Sequence, residues 1–306
     1  MSHSSELYPI FEPDNRKINP YSNYFLGNNH RFPIDGGNNL NSMNYMWDRI
    51  FNGGWKHGFS NRILKYLFLR NEQYIEYNIQ RYSNRKISNN SLINYKFDSN
   101  FKSIVPQNII SIFDKIFQHK EKNKTILIKS VHCIRQLNWI SQHFNPKIII
   151  IMRKLPNLIA SYLRLKLNDS YRGISNYSDL DIKLKNITSD SNIKDFELFK
   201  QITIQACELM CILKNYHLSN KNSILINHEE ACLNPTMHFE NLTSSLNLKF
   251  DDEIKNKIID SNKVGDGFTA NRVAENEQIR FKDQLTDEHL KIIHEIGSIY
   301  NLEDCI

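Results

Sequence analysis

Two short apolar runs, TILI at 125–128 and IIIIM at 148–152, constrain this chain more than any other feature. Each is short for a helix and nearly unbroken by polar residues, the pattern of a strand buried on both faces of a parallel sheet. Between them Ile134, Leu137 and Ile140 share one helical face, with Trp139 close by, and Asn145-Pro146 stops the helix. Strand, helix and strand make a βαβ unit. NSILIN at 222–227 reads as a third strand. The pattern predicts an α/β fold with a parallel sheet flanked by helices, and with neither internal repeat nor clear linker, residues 1–306 read as a single domain.

The remaining segments are assigned by the same rules. Residues 1–40 hold EPDN, INP and DGGNN and read as irregular structure. Helices are expected over 42–51, 60–81 and 107–118, the last with Ile109, Ile112, Phe113, Ile116 and Phe117 at a spacing of three and four. A helix beginning at Pro156 follows the second strand. Residues 165–195 are polar and weakly periodic, an excursion or lid. Helices follow over 196–217, from Asn234-Pro235 to about 246, and over 251–261. Residues 264–281 read as loop. Thr286 caps a last helix with Asp287 and Glu288 in its first turn.

In an open parallel sheet, ligands bind beyond the carboxyl ends of the strands. Two of these ends are basic: the first apolar run leads into Lys129-Ser130, with His132 just beyond, and the second into Arg153-Lys154. A helix start follows each, and its free N–H groups and dipole favour an anion. On the helix after Arg153, Leu155, Leu158, Ile159 and Tyr162 define the expected buried stripe, leaving Asn157, Ser161 and Arg164 on another face. Two readings fit Arg153 and Ser161. They share one phosphate, which the guanidinium grips in bidentate fashion, or Arg153 pairs with a carboxylate and Ser161 is solvated.

Bulk properties narrow the partners. The formal charge of +6 is mild, and the basic residues are spread along the chain, which suits an anionic small molecule as well as a nucleic acid. A nucleic-acid protein would need a basic face interleaved with exposed aromatics, and the aromatics here look buried, so no nucleic-acid partner is expected. No apolar run reaches the roughly 18 residues of a membrane span. The start, MSHSSELYPIF, is polar, without a cleavable signal pattern. Five cysteines in an unpatterned arrangement fit a reduced, cytoplasmic protein, and no metal is expected.

Taken together, these stretches resemble a known family. K-I-I-I-I-M-R-x-x-P-N-x-x-x-S is similar to the 3′-phosphate-binding segment of the PAPS-dependent sulfotransferases, with Arg153 at the strand end and Ser161 on the following helix. TILIKSVHCIRQLNWISQHFNPKIIIIMRKLPNLIASYLRL resembles bacterial members nearly end to end. ILINHEEACLNP resembles a later strand with its His-Glu turn. RFKDQLTDEHLKII resembles the start of the C-terminal helix, with Phe281 in place of an expected Trp. FEPDN resembles the family's Glu-containing turn, so the resemblance spans about residues 8 to 302.

The resemblance implies a three-layer, P-loop NTPase-like fold and a sulfuryl transfer from PAPS to a hydroxyl or amine. The acceptor would be a small molecule, a carbohydrate or a lipid. Arg153 and Ser161 would bind the 3′-phosphate, and Arg272 would close over the nucleotide. Lys129 would stabilise charge on the leaving phosphate. The general base would be Glu12 or, as a rival, His132, which here sits in K-S-V-H where relatives have K-x-H. His228 and Glu229 are expected to be structural, and Trp47 and Trp55 to pack the core rather than line an acceptor pocket. One part of the family pattern is missing. The first strand and the 5′-phosphosulfate loop, of the form R-S-G-T-T, should precede FEPDN by about two dozen residues, and the Walker pattern is absent. The resemblance therefore describes an N-terminally truncated chain: an enzyme whose start codon is placed too far downstream, or an inactive remnant that binds only the 3′-phosphate end of the nucleotide or nothing.

Overall fold

The computed structural model describes residues 7–14, 40–53, 124–164, 196–264 and 273–306. These residues fall into two compact units that divide between Gln136 and Leu137, the later segments belonging to the second. Among the described residues the architecture is mixed α/β, mostly helical, with two small parallel sheets. None of the described helices is long and apolar enough to cross a membrane. The helices expected at 60–81 and 107–118, and the excursion at 165–195, lie outside the described residues.

In the first unit, strand β1 (Leu7–Phe11) pairs in parallel with β2 (Thr125–Lys129), from Leu7 opposite Thr125 to Phe11 opposite Lys129. Reading residues 1–40 as irregular therefore missed a strand. LYPIF contains a proline and is short, but Tyr8 and Ile10 are buried, 1% and 2% exposed, and that burial outweighs the weak local signal. Helix α1 (Leu40–Phe51) buries Met46, Trp47 and Ile50. Trp47 is a core residue, as expected. Its indole Nε1 donates to Gln136 Oε1 at 2.7 Å, which satisfies two buried polar groups at once. A 3₁₀ turn at Cys133–Gln136 ends the unit.

The second unit opens with helix α2 (Leu137–Phe144), which stops at Asn145. Asn145 takes the left-handed conformation (φ 43°), and Pro146 cannot extend the helix. Strand β3 (Ile148–Met152) and helix α3 (Leu155–Arg164) follow. Helix α4 (Phe196–Ser219) precedes strand β4 (Ser223–Asn227), which pairs in parallel with β3. Next come α5 (His228–Leu233), α6 (Pro235–Ser245) and α7 (Asp252–Ser261). Asn227 caps α5 through its side chain, Asp251 caps α7, and Pro235 occupies the first turn of α6, where its missing N–H costs nothing. The stretch read as loop contains two 3₁₀ segments, Ala274–Gln278 and Arg280–Asp283. Helix α8 (Asp287–Ile299) starts at Thr286 in a capping box closed by the His289 side chain.

The core of this unit forms where α3, α4 and α8 pack together and α4 lies on the β3–β4 pair. Leu155, Ile159, Phe199, Ile202, Ile293 and Ile296 are buried there. Gly297 permits the close approach, because a Cβ at that position would sit 2.9 Å from Ile306 Cδ1 and 3.4 Å from Leu155 Cδ2. Two expectations are corrected. The strand IIIIM is not buried on both faces: Ile150 and Met152 are buried, but Ile151 on the opposite face is 62% exposed. The buried stripe of α3 is also rotated. Leu158 and Tyr162 are only partly buried, whereas Pro156, Asn157 and Ala160 are inside, because α3 packs on the second 3₁₀ segment as well as on α4 and α8.

Candidate functional site

Parallel pairing sets the carboxyl ends of partner strands side by side, and in both sheets the polar residues gather there. At the end of β1 the chain continues as Glu12, whose amide donates to Lys129 O at 2.6 Å and prolongs the ladder by one bond. Glu12 is held at φ 44°, in the left-handed region that a non-glycine residue enters at a cost of about 1–2 kcal/mol. The ladder bond holds the backbone there, and an ion pair with Lys129 Nζ holds the side chain. The Glu12 side chain is 9% exposed and the Lys129 side chain 43%, so the pair joins a buried residue to a partly exposed one.

Two residues on, Asp14 is buried beside Ser130. The Ser130 hydroxyl donates to the Asp14 carboxylate, 2.6 Å from Oδ2 and 2.8 Å from Oδ1. It accepts from the backbone amides of His132 and Cys133 at 3.0 and 3.2 Å, which organises the 3₁₀ turn that follows. Burial raises the Asp14 pKa to about 6 despite the lowering effect of the Ser130 bond. Burial, with the Asp14 charge added, pushes the Cys133 thiol up to about 12, so this cysteine is a poor nucleophile. His132 is buried in the same unit. Glu12, Lys129 and His132 thus come from two segments more than a hundred residues apart, at one end of one strand pair. Sequence reasoning missed Asp14, although it stands within the quoted FEPDN, because nothing in the linear pattern says that this aspartate is buried.

In the second unit the ends of β3 and β4 carry a denser network. Arg153 leaves β3 and donates through Nη2 to Glu277 Oε2 at 2.6 Å, while its Nε lies 3.7 Å from Glu229 Oε1. Arg280 pairs with the other oxygen of Glu277. Glu229, in the first turn of α5, accepts from the Lys154 amide at 3.1 Å and from Asn157 Nδ2 at 2.9 Å. Asn157 also donates to Gln278 O at 3.1 Å and accepts from the Phe281 amide at 3.3 Å. Asn157 is therefore bonded on both sides, although the helical pattern set it off the expected buried stripe. It is 2% exposed and ties α3 to the segment carrying Glu277 and Arg280. Burial and then the Arg153 charge lower the His228 pKa.

Of the two readings of Arg153, this arrangement displays the carboxylate-paired one. Ser161 lies partly buried on α3 in the same unit. Arg272 and Trp55 lie outside the described residues. Glu229 has the structural role expected of it. Glu277 and Arg280 were not singled out, and the signal available was faint: a Glu and an Arg three residues apart in a stretch read as loop. Among the described residues no group of three or more His, Cys, Asp or Glu side chains is gathered as a metal site would need. No family model, curated protein or solved structure matches this chain.

Proposed function

We propose that this chain is a PAPS-dependent sulfotransferase of the three-layer, P-loop-like α/β type, acting on a hydroxyl or amine acceptor among small molecules, carbohydrates or lipids. One observation carries the reading: the parallel pairing of β1 and β2 sets Glu12 against Lys129 at the strand ends, with the glutamate buried at a left-handed φ. Strain of this kind, held in place by surrounding bonds, is concentrated at sites that do chemistry.

The roles follow from the side chains. Glu12, ion-paired with Lys129, takes the proton from the acceptor as the acceptor's oxygen or nitrogen bonds to sulfur and the bond from sulfur to the departing phosphate breaks. Lys129, whose side chain is partly exposed, offsets charge building on the departing phosphate. His132 serves as the rival base. PAPS, when bound, supplies the sulfuryl group in an in-line displacement, chemistry that depends on positioning and charge neutralisation. Arg153 holds the 3′-phosphate with Ser161, and Arg272 is assigned to closure over the nucleotide. The fit of the second unit to a phosphate rests on the Arg153 guanidinium, which already grips a carboxylate together with Arg280.

The test is a titration of adenosine 3′,5′-bisphosphate into the wild-type chain and Arg153→Ala, paired with an assay of sulfuryl transfer from PAPS to a panel of alcohols, amines and sugars. The expected result is binding that Arg153→Ala weakens at least tenfold, with transfer to one acceptor class. Equal affinities in the two proteins would remove the phosphate assignment, and absence of transfer to every acceptor would count against the enzyme.

A further inference from the structure

Glu277 sits where an anionic ligand would sit. Its side chain is 6% exposed, and its two oxygens face two different arginines, Oε2 toward Arg153 and Oε1 toward Arg280. Two guanidiniums converging on opposite oxygens of one small anion is also the arrangement that recognises a phosphomonoester, which offers more acceptor oxygens than a carboxylate and a second negative charge. Glu229 adds a second carboxylate, 3.7 Å from Arg153 Nε. With Glu277 in place the four side chains sum to zero charge, and a dianion gains little by approaching them. With Glu277 withdrawn, the group carries a net positive charge and two guanidiniums with donors to offer. Withdrawal would turn a three-torsion side chain, on a short 3₁₀ segment, away from both arginines. The segment itself stays pinned, because Asn157 binds Gln278 O and the Phe281 amide on either side of Arg280.

We infer that Glu277 is the resident anion of a two-arginine phosphate seat: Arg280 is the second ligand of the incoming phosphomonoester, and Glu277 competes with that ligand for both arginines. The inference rests on the proposed 3′-phosphate role of Arg153 and adds to it a ligand and an internal competitor. Glu229 is a positioning residue in this scheme, since it stays bonded to the Lys154 amide and Asn157 whether or not Glu277 leaves.

The experiment is calorimetric titration of adenosine 3′,5′-bisphosphate into the full chain and five variants. Glu277→Gln removes the competing charge and keeps the shape, and affinity is expected to rise about tenfold. Glu277→Asp shortens the reach to the two arginines and is expected to give a smaller gain. Arg280→Ala changes a partly exposed side chain and is expected to lower affinity at least tenfold. Glu230→Gln removes the same charge from an exposed neighbour of Glu229 and is expected to leave affinity unchanged. Unchanged or weaker binding in both Glu277 variants overturns the competitor. If those two fail to fold, unchanged binding by Arg280→Ala overturns the seat. A gain in Glu230→Gln equal to that in Glu277→Gln would reduce the effect to general electrostatics and also overturn it. Arg153→Ala separates the two layers. If it binds as tightly as wild type, the 3′-phosphate reading itself fails; if it loses binding while the Glu277 variants gain nothing, only the competitor is wrong.

Discussion

Glu229 accepts the backbone amide of Lys154 on both of its carboxylate oxygens, at 3.1 Å each. The bond joins the first turn after β4 to the turn that leaves β3, so the carboxyl ends of two strands that pair in the sheet are also tied beyond it. The same carboxylate takes the Asn157 amide, and Glu229 is only 4% exposed. A buried carboxylate with this many partners organises its surroundings more than it reacts.

Glu229→Ala is expected to destabilise the protein by about 3 kcal/mol, because it leaves the Lys154 amide and Asn157 Nδ2 short of an acceptor and Arg153 short of a nearby negative charge. Urea denaturation followed by circular dichroism measures it. A change within about 0.5 kcal/mol, the range of an ordinary surface substitution, would show that the network is dispensable.

Asp14 makes stability depend on pH in a defined direction. Its carboxyl titrates near 3.8 when unperturbed and at about 6 in the folded protein, because burial disfavours the charged form. The folded state therefore holds the proton more tightly than the unfolded state. Stability is greatest below pH 3.8 as far as this group is concerned, and falls as pH rises through 6, by roughly 3 kcal/mol for a displacement of this size. Asp14→Asn keeps an acceptor for the Ser130 hydroxyl and removes the charge. Denaturation curves at pH 4, 5, 6 and 7 are expected to diverge, the variant gaining on wild type as pH rises. Parallel curves would mean that Asp14 is no harder to ionise than a surface aspartate.

On the proposed sulfotransferase reading, Glu12→Gln is expected to lower sulfuryl transfer by about 10²- to 10⁴-fold, the usual contribution of a general base, while nucleotide affinity stays within a few-fold. His132→Ala is expected to retain most of the activity. The reverse ranking in a steady-state assay would hand the base role to His132 and leave Glu12 as the partner that orders Lys129.

Asn145 offers a test of the backbone alone. It ends α2 at φ 43°, where its amide still donates to Ser141 O at 3.0 Å. Asn145→Gly is expected to be nearly neutral and Asn145→Ala to cost about 1 kcal/mol, since only glycine and, less readily, asparagine enter this region at little expense. Thermal melts of the two variants side by side decide it, and equal melting temperatures would contradict the assignment.

Much of the fold was legible because hydrophobic periodicity and terminators act locally. TILIK, IIIIM and SILIN are strands, Asn145-Pro146 stops a helix, Pro235 begins one and Thr286 caps one, each decided by residues within a few positions. LYPIF gave little local sign of its pairing. It is a strand because β2 offers it a parallel edge and the core takes Tyr8 and Ile10. Asn157 shows the same limit. Its position on the helix set it off the expected buried stripe, and packing against a 3₁₀ segment more than a hundred residues away holds it inside.

The sequence by itself therefore determined which residue types stand at two strand ends, Lys129 with His132 just beyond and Arg153, each placed by the apolar run before it; that Glu12 also follows a strand emerged only with the pairing of β1 and β2. The tertiary structure alone decided what those residues face. Glu12 meets Lys129 across a ladder closed by more than a hundred intervening residues, and Arg153 meets Glu277 rather than open solvent. Periodicity is a property of neighbours along the chain, whereas the charge opposite a side chain is set by contacts between distant segments.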